Sequence, residues 1–365
     1  MRLTIEKTQL LRSLTAVSKG MSSRSTMPIL SGVLLIAADG ELTLRTTDLE
    51  ISIQNRSAAL IEQEGETVVP GRLFTDIIKS LPEASITLIE EGSGLTILCA
   101  ESSFSVNTLN PLDYPSFPTI DVTKQISINA KDLQRMIKKA IKAVSRDESR
   151  PVLMGILMKI NEGKLVFVAT DSYRLAVIEK ELDSAGDFEL IVPGSVFEEI
   201  SRISSSDDTV VISESENQIM FEVGQTIFIS RKIEGNYPNY EVLIPKEKTL
   251  SAVIKTSDIS TAIKRVAIAS QNNGPVKLSF DPARQKLTIS SKTFDVASAS
   301  EVIDAQIDGD YLEIGFNHQY ITDGLSVIDE EEVLFENQGA LKSGVIKTSG
   351  EDQFLYLTMP LRIDI

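Results

Sequence analysis

Few residues of this chain could carry covalent or metal chemistry, and their spacing argues against it. There is one cysteine, Cys99, and one histidine, His318. Cys99 lies in an alternating run between Leu98 and Ala100, the place of a small core or half-buried residue. A nucleophilic cysteine needs an electropositive, partly open setting. With no second His or Cys there is no zinc set, and a Ser-His-Asp arrangement would have to rest on His318. No GxxxxGK[ST] loop and no GxGxxG turn after a strand offers amides to a nucleotide phosphate. The acidic runs Asp207-Asp208 and Asp329 to Glu332 have oxygens for a divalent cation but read better as solvated loops. The sequence asks for no cofactor and no metal.

At 365 residues the chain is long enough for two or three domains, each with its own core. Lys and Arg number 36 against 52 Asp and Glu, a net charge of −16. That excludes bulk attraction to nucleic acid or to an anionic membrane, so any phosphate contact must be local. The composition, 42% hydrophobic and 24% charged, is that of a globular protein. No apolar run nears the roughly 18 residues that cross a bilayer, so no membrane partner is expected. The start, MRLTIEKTQLL, lacks the apolar core and cleavage site of an export signal, and a single cysteine forms no intrachain disulfide. A cytoplasmic location is expected.

The elements that position these residues repeat. Pro28 to Gly32 recurs as Pro151 to Gly155, Thr47-Asp48 as Thr170-Asp171, and Pro70-Gly71 with Phe74 as Pro193-Gly194 with Phe197, all at an offset of 123 residues. A weaker third copy aligns Leu287 with Leu42 and Leu165, and Tyr320 with Phe74 and Phe197. The spacing of Leu133, Met136, Ile137, Ala140, Ile141 and Val144 predicts a helix capped by Asn129, with counterparts through Leu10, Leu14 and Val17 and, after Thr256 or Ser257, through Ile259, Ile263 and Val266. Second helices are expected to start near residues 71, 194 and 317. Strands are read at Glu41 to Arg45, Lys164 to Val168, Lys286 to Ser290 and in the hairpins that close each copy. The fold class is α+β: three domains, 1–120, 121–245 and 246–365, each with two helices packed on antiparallel sheet. Boundaries fall in the Pro-containing stretches Asn110 to Pro118 and Asn236 to Pro245.

Positive charge collects on the first helix of each copy. The second copy has Lys131, Arg135, Lys138, Lys139, Lys142 and Arg146 against Asp132. The first has Lys7, Arg12 and Lys19 against Glu6; the third has Lys255, Lys264 and Arg265 against Asp258. Recurrence at equivalent places in an acidic chain reads as a weak, shared phosphate-facing surface. The second helices do not share the bias, since Arg72 and Lys79 are opposed by Glu198 and Glu199 in the next copy.

These repeats, with TDLE, TDSYRLAV, VVPGRLF, YPNYEVLIP and MPLRI, resemble over the whole chain the β subunit of bacterial DNA polymerase III, the sliding clamp family. The resemblance implies a non-catalytic homodimeric ring of six domains around double-stranded DNA. An ATP-dependent clamp loader opens it, and it tethers the replicative DNA polymerase, mismatch-repair proteins and others that carry a clamp-binding motif. It implies a partner-peptide pocket at Leu153, Thr170, Ser172, Tyr173, Arg174, Leu175, Pro238, Leu243, Ser343, Leu357, Met359, Leu361 and Arg362. DNA contacts would fall on Arg24, Arg72 and the turn from Arg146 to Arg150, joined by Lys138 and Lys142 of the basic helix. Phe104 and Val106 of one subunit would meet Ile268 and Ala269 of the other, although all four also suit ordinary core packing. Departures from the family pattern are Asp147, which should repel phosphate, Tyr173 where histidine is common, Val152 where an aromatic can stand, and the added Asp364 and Ile365.

Helix arithmetic bears on the ring. Two helices per domain at about 9 Å spacing give three domains a circle of about 17 Å across the axes, which helices about 10 Å thick fill. Six domains give about 35 Å across and a bore of about 25 Å, enough for a duplex about 20 Å wide. Two other readings compete: an acidic scaffold that binds peptides without DNA, and a hydrolase using His318.

Overall fold

The structure, a computed structural model, describes residues 1–22, 27–182, 188–270, 274–293, 295–350 and 353–362. Its helices come in pairs, one pair per copy: α1 (Lys7–Val17) and α2 (Gly71–Ser80), α3 (Ala130–Ile141) and α4 (Gly194–Ile203), α5 (Thr256–Val266) and α6 (His318–Leu325). The first of each pair follows directly on a strand, Arg2–Glu6, Lys124–Asn129 or Leu250–Lys255. The expected strands are present and run further, as Glu41–Thr47, Lys164–Thr170 and Lys286–Thr293.

Local chemistry sets the helix starts. Asn129 Oδ1 accepts the Lys131 amide at 2.9 Å, the expected cap. Thr256 does not cap α5. It is the first helical residue, and its hydroxyl donates to the Glu330 carbonyl at 2.8 Å. Asn317 caps α6 through the Gln319 amide. The apolar stripe of α3 is buried at Leu133, Met136, Ile137 and Ala140, and Cys99 is a core residue of the strand Gly94–Cys99.

The chain clusters into two units, and the division falls inside α3 and α4. One unit, Met1–Lys131 with Glu199–Lys232, holds a five-stranded and an eight-stranded sheet. In the larger sheet, strand Thr226–Arg231 pairs antiparallel with Ile51–Ala58, Ser230 opposite Ile51. The other unit, Asp132–Glu198 with Ile233–Ile365, holds a nine-stranded and a four-stranded sheet. There strand Gln353–Thr358 pairs with Arg174–Glu181, Thr358 opposite Arg174. Ile51 and Arg174 are equivalent in the repeat, so the same joint between successive copies is built twice.

Phe74 and Phe197, equivalent in their helices, are fully buried, Phe197 against the Phe167 ring at 4.9 Å between centroids. Tyr320, their counterpart in the third copy, is only partly buried and has other work.

Candidate partner-docking site

The repeated Thr-Asp is a turn built by its own side chains. Asp171 Oδ1 accepts the amides of Tyr173 at 2.9 Å and Arg174 at 3.0 Å; the Thr170 hydroxyl donates to the Arg174 carbonyl at 2.6 Å and accepts the Ser172 amide at 3.1 Å. These bonds hold Ser172 at φ +79°, a left-handed value costly for a non-glycine residue. In the first copy Asp48 accepts the Glu50 and Ile51 amides at 3.0 and 2.8 Å, Thr47 bonds Ile51 and Leu49, and Leu49 stands at φ +77°.

Beyond the second turn, Leu175 faces Leu357 across the strand pair, and Leu357 faces Val345 on the next strand. All three are buried in a cluster with Leu157, Val166, Val168, Val177, Ile191 and Tyr240; Val152, Tyr237 and Ile244 lie partly buried against it. In the same unit the chain leaves large side chains open. Leu243, between Tyr240 and Ile244, is 50% exposed, Met359 47%, Leu361 40% and Tyr173 58%. The Met359 amide donates to the Tyr173 carbonyl and the Leu361 amide to that of Gly315, each at 2.8 Å. Thr170 and Leu153 are buried, Ser343 and Arg174 partly so, and Ser172, Pro238 and Arg362 are exposed. The expected pocket residues all lie in one unit, with Arg174, Leu175 and Leu357 on the paired strands themselves.

Sequence reasoning missed what holds Arg174. Its guanidinium pairs with Asp171 at 3.0 Å and with Asp323 on α6, and lies 4.6 Å from the Tyr320 ring centre. Burial alone would lower the Arg174 pKa, but Tyr356, Asp323 and Asp171 more than offset it and the net direction is upward. The Tyr356 hydroxyl donates to the Tyr320 carbonyl at 2.8 Å. Tyr173 stacks against Tyr320, centroids 6.4 Å apart. A Cβ on Gly324 would stand 2.5 Å from the Tyr356 ring. Gly324→Ala is therefore expected to cost about 1–3 kcal/mol by overpacking, read as a lower urea midpoint with an unchanged m-value.

The residues expected to face DNA divide. Arg24 lies outside the described residues, as do Asp364 and Ile365. Arg72, Lys142 and Arg146 are exposed and make no ion pair among the described residues. Lys138 is held by Asp329 at 2.8 Å, and Arg150 by Asp147 at 3.0 Å and by the Ser172 hydroxyl at 2.9 Å. Hydrogen bonds from Ser149 and Arg150 hold the Asp147 pKa down, so its charge is matched locally. The phosphate-facing reading of the first helices is corrected at two residues. Lys139 is buried, 5.2 Å from the Phe354 ring centre and paired with Glu330, and Lys7 is buried with its ammonium on Glu83. The run from Asp329 is accordingly no free loop, because its first two acids take the α3 lysines.

Of the expected subunit contacts, Ile268 is 85% exposed and Phe104 is open, whereas Val106 and Ala269 are already buried within the chain. His318 begins α6 partly buried, and burial lowers its pKa. Its side chain makes no hydrogen bond among the described residues, and no cluster of potential metal ligands occurs among them.

Family models match in tandem along the chain: DNA polymerase III beta subunit, N-terminal domain, at residues 1–118, central domain at 127–239 and C-terminal domain at 241–362. The beta sliding clamp of Bacillus subtilis is 33% identical over 99% of this chain and 100% of its own length. That of Staphylococcus aureus is 32% identical over 99% of each. The crystal structure of a Bacillus subtilis DNA polymerase sliding clamp superposes with a TM-score of 0.95 at 32% identity, covering 100% of both chains. A Pseudomonas aeruginosa DnaN sliding clamp bound to griselimycin also gives 0.95, at 30% identity over 100% of both. Three tandem α+β copies and their strand joints thus define a sliding clamp, a processivity fold without catalysis. Within that class, the chain belongs to the bacterial DNA polymerase III beta subunit family.

Proposed function

We propose that this clamp works in the cytoplasm as a homodimeric ring of six domains, bounded as 1–120, 121–245 and 246–365. It encircles double-stranded DNA after opening by an ATP-dependent loader and tethers the replicative polymerase, mismatch-repair proteins and other partners. The observation that carries the tethering role is that the unit holding the apolar cluster of Leu175, Leu357 and Val345 also leaves Leu243, Met359 and Leu361 exposed. Such a surface suits the aliphatic and aromatic anchors of a short extended segment. Arg72, Lys142 and Arg146 supply local positive charge, with Arg24 as a further contact.

Two open sheet edges support self-association. Strand Ser102–Asn107 ends the five-stranded sheet and carries exposed Phe104, and strand Ala297–Asp304 ends the four-stranded sheet and carries exposed Val302. Unpaired edges invite pairing with another chain, and Ile268 adds an exposed aliphatic anchor.

The test is retention. Loader and ATP should leave the protein on a closed DNA circle and let it run off once the circle is cut. Retention on linear DNA, or none on circles, overturns the reading. Without a loader, affinity for linear duplex should be weak and should fall steeply between about 50 and 200 mM salt, because a few Lys and Arg contacts release counterions. Arg72→Ala with Arg146→Ala should flatten that slope by about two units, measured by fluorescence anisotropy, with the melting temperature unchanged.

A further inference from the structure

The joint between the first and second copies has the same frame as the docking site and keeps an apolar cluster of Leu34, Val68 and Tyr114, but the strand pair at its centre turns polar. Its turn has the same bonds, and the Arg231 amide donates to the Glu50 carbonyl at 3.3 Å as Met359 does to Tyr173. The floor differs. Where the docking site has Val168, Val177 and Leu175, the equivalent positions are Arg45, Gln54 and Ser52, with Arg45 opposite Gln54 and Thr47 opposite Ser52.

Arg45 is partly buried. Its Nε donates to Gln54 Oε1 at 2.8 Å, and its guanidinium lies 5.1 Å from the centre of the Phe117 ring. Phe117 is the repeat equivalent of Tyr240, which also covers a cation, Lys159 Nζ at 5.1 Å. That lysine has its carboxylate, Glu241 at 3.2 Å. Arg45 has an amide instead and no ion pair among the described residues, although the chain is acidic by 16 charges. Two residues past Gln54 on the same face, Arg56 is exposed and likewise without an ion pair. Glu41 and Glu66 flank this face and pair with neither arginine. Burial first, then repulsion by Arg56, lower the Arg45 pKa, and Glu66 only partly opposes them. A guanidinium buried like that of Arg45 is ordinarily matched by a carboxylate, and guanidinium groups bind carboxylates through paired hydrogen bonds.

We propose that this face of the first copy is a second docking site, selective for a carboxylate-bearing extended segment of a partner protein. An Asp or Glu of the segment bonds Arg45 and Arg56, and an aliphatic neighbour packs on Leu49, which the turn holds exposed. The frame common to both joints favours a peptide over a nucleic acid phosphate as occupant. The choice of a peptide as occupant rests on the pocket reading, but the two sites share no residue, so Met359→Asp with Leu361→Asp and Arg56→Gln separate their failures.

The probe is a fluorescein-labelled ten-residue peptide of alternating Glu and Leu, followed by anisotropy on the full-length protein. Binding is expected to survive Met359→Asp with Leu361→Asp, to weaken about fivefold or more in Arg56→Gln and in Arg45→Gln, and to be lost when Gln replaces every Glu of the peptide. Arg45→Gln removes the contact with Phe117 and is read only if its melting curve matches the parent; the exposed Arg56→Gln carries the test otherwise. No binding by the parent protein, equal binding by Arg56→Gln, or loss in the Met359/Leu361 variant overturns the proposal. So does a fivefold loss of affinity for a duplex oligonucleotide in Arg56→Gln with the peptide unaffected, which would assign the face to phosphate.

Discussion

Met359→Asp combined with Leu361→Asp is expected to lower affinity for a partner peptide with a Gln and spaced Leu and Phe anchors by about a hundredfold or more. The two side chains are 47% and 40% exposed in the free chain, so a bound peptide takes the remaining apolar area from water. At about 25 cal/mol per Å² this is worth roughly 1 kcal/mol for each half-exposed side chain. An aspartate in the same place loses that gain, and desolvating its charge under the peptide costs a further few kcal/mol. The parent affinity should itself be about micromolar, because ordering a flexible peptide takes back much of what its anchors contribute. The substitutions leave the two backbone bonds at Tyr173 and Gly315 in place, so the fold and the subunit contacts should persist. Isothermal calorimetry reads the loss, and unchanged affinity would move the docking site elsewhere. The comparison with Leu243→Asp, on the 3₁₀ turn Glu241–Leu243, separates one continuous floor from two independent patches: a continuous floor predicts a similar loss.

The parts of this architecture legible in the sequence are those that local chemistry builds. The Thr-Asp turn needs no tertiary partner for its four internal bonds, so its recurrence at 123 residues marked the same structure in two copies. The Asn129 cap and the α3 stripe were legible for the same reason. What escaped depends on contacts across long separations. Lys139 stands at helical spacing from Met136 and Ala143 and so lies on the buried stripe, but a lysine reads as a surface charge, and only the distant Glu330 and Phe354 make its burial possible. Arg174 was read from the family motif, while Tyr320 and Asp323, which fix its orientation, come from a helix 146 to 149 residues further on. The weakness of the third repeat has a physical cause here. Phe74 and Phe197 are fully buried in the core, whereas Tyr320 is partly buried with its ring 4.6 Å from the Arg174 guanidinium, so the third position meets a different environment. The burial of Val106 and Ala269 was an open alternative in the sequence, because alternation in an edge strand and a short turn after α5 fit both a core and an interface.

Ile268→Lys should convert the dimer to monomers at micromolar concentration. Ile268 is 85% exposed on the 3₁₀ turn that follows α5, and fully burying an isoleucine contributes about 1.5–3 kcal/mol. In the proposed ring of two chains a contact between Phe104 of one and Ile268 of the other would occur twice, because a head-to-tail interface that closes on itself repeats at each junction. One substitution therefore removes about 3–6 kcal/mol from the assembly, and placing an ammonium in an apolar contact costs more. The monomer–dimer equilibrium should shift by about two to four powers of ten. Each subunit should keep its melting temperature within a few degrees, since the side chain makes little contact inside its own chain. Phe104→Asp, at the open edge of the five-stranded sheet, should act in the same direction, and the two together should add little once dimers are gone. Sedimentation velocity distinguishes the outcomes. A dimer unmoved by both substitutions would place the subunit contact elsewhere, and retention on circular DNA by a protein that sediments as a monomer would remove the ring from the explanation of processivity altogether.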